Sequence, residues 1–218
     1  MDRRSLLLRW PWIVLSLVLL SLVAVGCKSA LQSFSILYEG YDIPADWEGL
    51  RGKKVAVVCK PLTSQEFSNS GAARALAEGI CERLKAHVKN IHIIDPQKVA
   101  ALVDEKGMED YLEIGKELKA EKIVGIDIES FGILDGQTLF RGRSTVSIQV
   151  YDVAEKHVEW RKSPPQIEYP RLSSTPAADS TEMEFRNRFV GALAEQIARY
   201  FYAHDRHDDF GDDALSIR

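Results

Sequence analysis

The chain has 218 residues, 28 of them basic and 32 acidic, for a net charge of −4. That length suffices for one domain with a real core, and the mildly acidic balance gives no electrostatic basis for holding nucleic acid. Three cysteines are too few for a disulfide scaffold.

Arg3, Arg4 and Arg9 precede an apolar run from Trp12 to Val25. About 14 residues fall short of the roughly 20 that a spanning helix needs, so the build is that of a cleavable export signal. Ala24-Val25-Gly26-Cys27 then resembles a bacterial lipobox, with small residues before a cysteine whose thiol is nucleophilic enough to be alkylated. The resemblance implies cleavage after Gly26, leaving a signal peptide of 1–26, and a lipid on Cys27. Removing the signal takes away three arginines and one aspartate, so the net charge moves from −4 to −6. Such a body has no attraction for an anionic membrane surface, and the lipid must supply attachment. Lys28 at the second position lacks the aspartate that retains some lipoproteins at the inner membrane, which favours the outer membrane.

Residues 27–50 read as the lipidated cysteine and a tether, made sticky by Tyr38, Tyr41 and Trp47. Folding signals begin with Lys53 to Cys59, a short apolar run that predicts a buried strand. Ala73, Ala77, Ile80, Leu84 and Val88 repeat at helical spacing, with Ser68 or Ser70 as candidate N-cap. Ile91 to Ile94 predicts a second strand. Asp95-Pro96 then starts a helix lined by Val99, Leu102 and Val103. Another helix spans 110–119, with Leu112, Ile114 and Leu118 inward. Cys59 ends a strand and Cys81 sits mid-helix; both read as small buried residues, with a bridge between them left open.

From residue 122 the period changes to two. Strands are expected over 122–133, 138–151 and 157–160, with Val124, Ile126 and Ile128 on one face and Asp127 and Glu129 on the other. Residues opposed across antiparallel strands point the same way, so the loop between must hold an odd number of residues. That pairs Ile126 with Val146 and Glu129 with Arg143, then Val150 with Val158 and Ile148 with Trp160. Ser163-Pro-Pro165 ends the sheet, and an irregular loop over 164–180 follows. Thr181 and Glu184 fit a capping box for a last helix that buries Phe185, Phe189, Leu193, Ile197 and Phe201. The fold class is α/β (α+β): a single domain over 51–204 with order β-α-β-α-α-β-β-β-α, and a mixed sheet ending in an antiparallel three-stranded meander with helices packed on it. Residues 205–218 read as a charged, disordered tail.

No nucleophile elbow, phosphate-cradling loop or zinc-type histidine pair is present. Asp127, Glu129 and Asp135 could serve a hydrolase, but Arg141 and Arg143 on the adjoining strand make cross-strand ion pairs the simpler account. His204 and His207 stand three apart beside aspartates at the end of the chain and do not make a metal centre. No catalytic residue, metal or cofactor is assigned.

The lipobox, the strand-helix-strand opening around Val55 to Val58, and the hairpin from Tyr151 to Trp160 together resemble a group of bacterial envelope proteins. The group includes the curli-secretion lipoprotein, lipoprotein activators of penicillin-binding proteins, and the N-terminal domain of the Tol-system periplasmic protein. The resemblance implies a domain that binds other envelope proteins without catalysis. A secretion channel is not expected, because no long apolar or amphipathic insertion is present. The expected role is a lipid-anchored periplasmic module with an envelope protein partner, docking through Arg141, Arg143, Tyr169 and Arg171, unless Tyr169 packs under its own loop. The alternative is an envelope hydrolase whose site is assembled from distant loops.

Overall fold

A computed structural model of the chain describes residues 42–61, 66–107 and 110–205. Cys27 with its lipobox, and the tail from residue 206 on with His207, lie outside these.

Seven strands form one mixed sheet: β1 Lys54–Pro61, β2 His92–Ile93, β3 Lys122–Asp135, β4 Leu139–Asp152, β5 His157–Lys162, β6 Ile167–Tyr169 and β7 Thr175–Pro176. The order across it is β2-β1-β3-β4-β5, and β6 and β7 also pair with β4. β1 runs parallel to β2 and β3, and the later pairs are antiparallel. Four helices accompany the sheet: α1 Glu66–His87, α2 Pro96–Lys106, α3 Tyr111–Leu118 and α4 Glu182–Ala198. The architecture is the α/β one that the periodicity predicts. Among the described residues, no helix is long and apolar enough to cross a membrane.

α2, α3 and α4 each start where a side chain takes free amides. Asp95 accepts from Gln97 N–H ahead of Pro96, and Asp110 accepts from Leu112 N–H. Thr181 and Glu184 exchange both bonds of a capping box. α1 begins at Glu66, ahead of both expected caps, so Ser68 and Ser70 fall inside it.

α1 and α4 cover one face of the sheet. Val55, Val57, Val124, Ile126, Ile128, Val146, Ile148 and Val150 meet Ile80, Leu84, Phe185, Phe189, Leu193 and Ile197 there. Each fully buried Leu, Ile or Phe contributes roughly 1.5–3 kcal/mol. α2 and α3 cover the other face over β1, β3 and the Tyr151 end of β4, burying Ala56, Val58, Ile123, Tyr111, Ile114 and Leu118. Tyr111, not Leu112, is the first inward residue of α3, and Leu112 is half-buried. β1 is therefore apolar on both faces, whereas β4 alternates buried and half-buried residues along its length.

Packing also reaches ahead of residue 51. Leu50 is fully buried, Trp47 stacks on Trp160 at 6.4 Å, and Asp46 pairs with Lys162 at 2.6 Å.

The registers differ from expectation by one to three residues. Ile126 faces Ile148, and Val146 faces Ile128; Val150 faces Trp160, and Tyr151 faces Val158. The turns close at Asp135↔Leu139 and Asp152↔His157, and a bulge interrupts each hairpin, the first being irregular again between Gly132 and Leu134. Glu129 is the extra residue between Ile128 and Ser130, and Glu159 is the extra residue opposite the Val150–Tyr151 step. One extra residue changes parity and turns the following side chains to the other face. Phe131 and Ile133, odd-numbered, thus continue the core that Ile128 leaves: Phe131 stacks on Phe189 at 5.1 Å and Ile133 is buried. Gly132, not Glu129, lies opposite Arg143. The expected irregular loop after Pro165 also adds two short strands to β4.

Candidate binding surface

Arg141 and Arg143 stand two apart on β4 and share the face that α4 does not cover. β6 places Glu168 directly across from Arg143. Arg141 Nη2 donates to Glu168 Oε2 at 2.5 Å and to the Arg171 carbonyl at 3.2 Å. Arg143 Nη2 donates to Asp135 Oδ1 at 3.1 Å, and its Nε lies 3.6 Å from Glu168 Oε1. The guanidinium of Arg143 beside Asp135 holds that carboxyl below its usual range; Ser174 Oγ adds a bond at 3.2 Å. Two arginines and two carboxylates form a half-exposed ladder over three strands. Its charges are balanced, so it orients donors and acceptors at the surface without presenting a net field.

Tyr169 is not part of that surface. β6 alternates in, out, in, which turns Ile167 and Tyr169 to the core and Glu168 outward. The Tyr169 ring lies 6.0 Å from Phe185 and 6.4 Å from Phe189, and only 8% of the residue is exposed. Arg171, two residues past the strand, is exposed.

The three carboxylates near this hairpin have separate surroundings. Asp127 Oδ1 accepts from Tyr111 Oη at 2.6 Å, and its Oδ2 lies 3.4 Å from Gln149 Nε2. Glu129 is exposed in its bulge. Asp135 belongs to the arginine ladder. A polar chain missed by the sequence reading runs on from Asp127: Tyr151 Oη and Arg161 Nη2 both donate to Gln149 Oε1, at 2.9 and 3.1 Å. Lys60 Nζ sits 4.2 Å from the centre of the Tyr111 ring. Burial, then the Asp127 acceptor, raises the Tyr111 hydroxyl far above its usual range. The alternation of β4 could have marked Gln149 and Tyr151 as outward, but nothing local in the sequence signals their link to α3.

Cys59 and Cys81 are both free thiols, and burial pushes both up, Cys81 to about 12. His204 Nδ1 lies 3.3 Å from the Tyr202 carbonyl oxygen, and among the described residues no three metal-ligating side chains converge.

No protein-family model matches the chain, and no curated protein matches its sequence. Solved structures similar to it include bacterial envelope lipoproteins. Lipoprotein GNA1162 from Neisseria meningitidis is 13% identical, with 66% of this chain and 97% of that one covered and a TM-score of 0.38. The LpoB C-terminal domain from Salmonella enterica is 10% identical, with 62% and 90% covered and a TM-score of 0.30. A PelC dodecamer from Paraburkholderia phytofirmans is 12% identical, with 73% and 93% covered and a TM-score of 0.42.

Proposed function

We propose that this chain is a lipid-anchored, non-enzymatic binding module of the bacterial cell envelope, held through Cys27 at the periplasmic side of the outer membrane. The observation that carries the binding role is the open face of β4. α2 and α3 stop over β1, β3 and the Tyr151 end of β4, and beyond them β4 presents Arg141, Arg143, Thr145, Ser147 and Gln149, all half-buried. Rigid strands thus hold a row of polar and guanidinium groups outward, the arrangement that suits recognition of a protein surface. Arg171 borders the row, with its backbone carbonyl bonded to Arg141. The lipobox-like Ala24-Val25-Gly26-Cys27 supports the anchor, and a tether to one membrane raises the effective concentration of partners there.

The test places a photocrosslinking residue at Thr145 or Ser147, and at exposed Lys98 on α2 as the control, in intact envelopes. Discrete partner adducts from β4 and none from Lys98 are expected. Equal adducts from both positions, or none from either, overturn the reading. Cys27→Ser should also abolish incorporation of labelled palmitate; incorporation that persists overturns the anchor.

A further inference from the structure

Among the described residues, β1 is paired on both sides only in its first half. β2 stops after two residues, bonded at Lys54↔His92 and Val55↔Ile93, whereas β3 follows β1 to Pro61↔Ile128. Ile94 N–H donates to the Val55 carbonyl at 2.9 Å as the last link on the β2 side. The chain then turns into the Asp95 cap and Pro96 of α2, which ends the strand. Backbone groups alternate along a strand. Lys53 and Val55 face β2, and Lys54 faces β3, where it accepts from Glu121 N–H. Val57 and Cys59 therefore aim their N–H and C=O groups at the side that β2 leaves open. Among the described residues, no hydrogen bond reaches these four groups. Val57 is 1% exposed, and buried backbone groups are almost always paired.

The open edge forms the floor of a groove of about 440 Å³ between α1 and α2. Ala73 and Ala77 make one wall, and Val99 and Ala100 the other. Val57 beneath them is covered, so a further strand reaches it by parting α1 and α2 at their small side chains. At the mouth, Arg74 and Asp104 pair at 2.5 Å across the two helices, and both are more than half exposed. A pair so wetted yields readily to a competitor.

We propose that this groove takes an extended peptide segment of a partner protein, which adds as a further strand to the free edge of β1 at Val57 and Cys59. The floor selects the occupant class. An acyl chain of suitable volume would leave four backbone groups unpaired among alanine and valine, whereas a peptide backbone supplies a partner for each. The walls select small, uncharged side chains at alternate positions. The mouth carries both signs, with Lys60, Arg74, Glu78 and Asp104, and so matches a neutral strand core with polar flanks. Pro61, which has no N–H, ends the edge. The proposal rests on the domain being a binding module, but on none of the β4 surface residues.

The experiment uses the full chain, residue-resolved amide exchange and three probes: acetyl-Ala-Val-Ala-Val-Ala-Lys-amide, the same peptide N-methylated at alternate residues, and dodecanoate. In the free protein, Val57 and Cys59 amides should exchange at least about tenfold faster than Ala56 and Val58, whose groups face β3. The first peptide should protect both amides, and the N-methylated one neither. Ala101→Trp, at the exposed rim, and Ala100→Leu should each weaken peptide binding about tenfold or more with unchanged circular dichroism. If Ala100→Leu does not fold, the rim variant alone decides. Val57 and Cys59 amides already as protected as their neighbours, failure of the first peptide to bind, binding of dodecanoate instead, or undiminished binding by Ala101→Trp overturns the proposal. Any of these alongside intact β4 crosslinks removes the groove only; loss of the crosslinks as well removes the binding-module reading itself.

Discussion

The Tyr111 hydroxyl, in the first turn of α3, donates to Asp127 Oδ1 on β3 at 2.6 Å, and the Tyr111 ring lies over Gly125. A Cβ at Gly125 would stand 2.9 Å from that ring, so the glycine lets the helix approach closely enough for the bond. Asp127 is thereby engaged in holding α3 to the sheet.

Tyr111→Phe should cost about 1–3 kcal/mol in urea unfolding, because the half-buried Asp127 loses its short donor. A change under about 0.5 kcal/mol would show that ring packing alone holds α3.

Gly142 fills the same role under α4. A Cβ there would fall 2.4 Å from the Phe189 ring, which is itself fully buried. Gly142→Ala should destabilise by about 1–3 kcal/mol through overpacking, and adding Phe189→Leu should recover part of the loss. Strict additivity of the two substitutions would refute the contact.

Leu193 is fully buried between α4 and the sheet. Leu193→Ala should cost about 2–5 kcal/mol, read as a lower denaturant midpoint with an unchanged slope.

Acid stability has a local source at Lys122. Its ammonium donates to Asp152 at 2.6 Å and pairs with Glu159 at 2.7 Å. The bond from Lys122, then the amide of Glu155, holds the Asp152 carboxyl at about 2, against an ordinary 3.8. Because the folded value lies below the unfolded one, the stabilisation is complete above the ordinary value and is lost as pH falls toward 2. Asp152→Asn should flatten the stability profile between about pH 4 and pH 2. A profile as steep as that of the parent would place the acid sensitivity elsewhere.

By itself the sequence determined the longer elements. The apolar stripe from Phe185 to Phe201, the Asp95-Pro96 start of α2, the Thr181 capping box and the alternation over Val146, Ile148 and Val150 all stand in the structure. Helical spacing, caps and strand alternation are set by residues within a few positions of one another, so they can be read locally. Register, side and partnership were decided only in the tertiary structure. The turns and the bulges at Glu129 and Glu159 set both hairpin registers, and the short strand β6 turned Tyr169 into core rather than surface. Arg141 chose Glu168, 27 residues away, Tyr111 chose Asp127, 16 away, and Arg83 pairs with Glu195, 112 away. Among the described residues, the later half of β1 likewise lacks a neighbour on one side because β2 ends early beside it. Such pairings depend on where distant segments come to rest once the whole core has packed, and no local pattern encodes them.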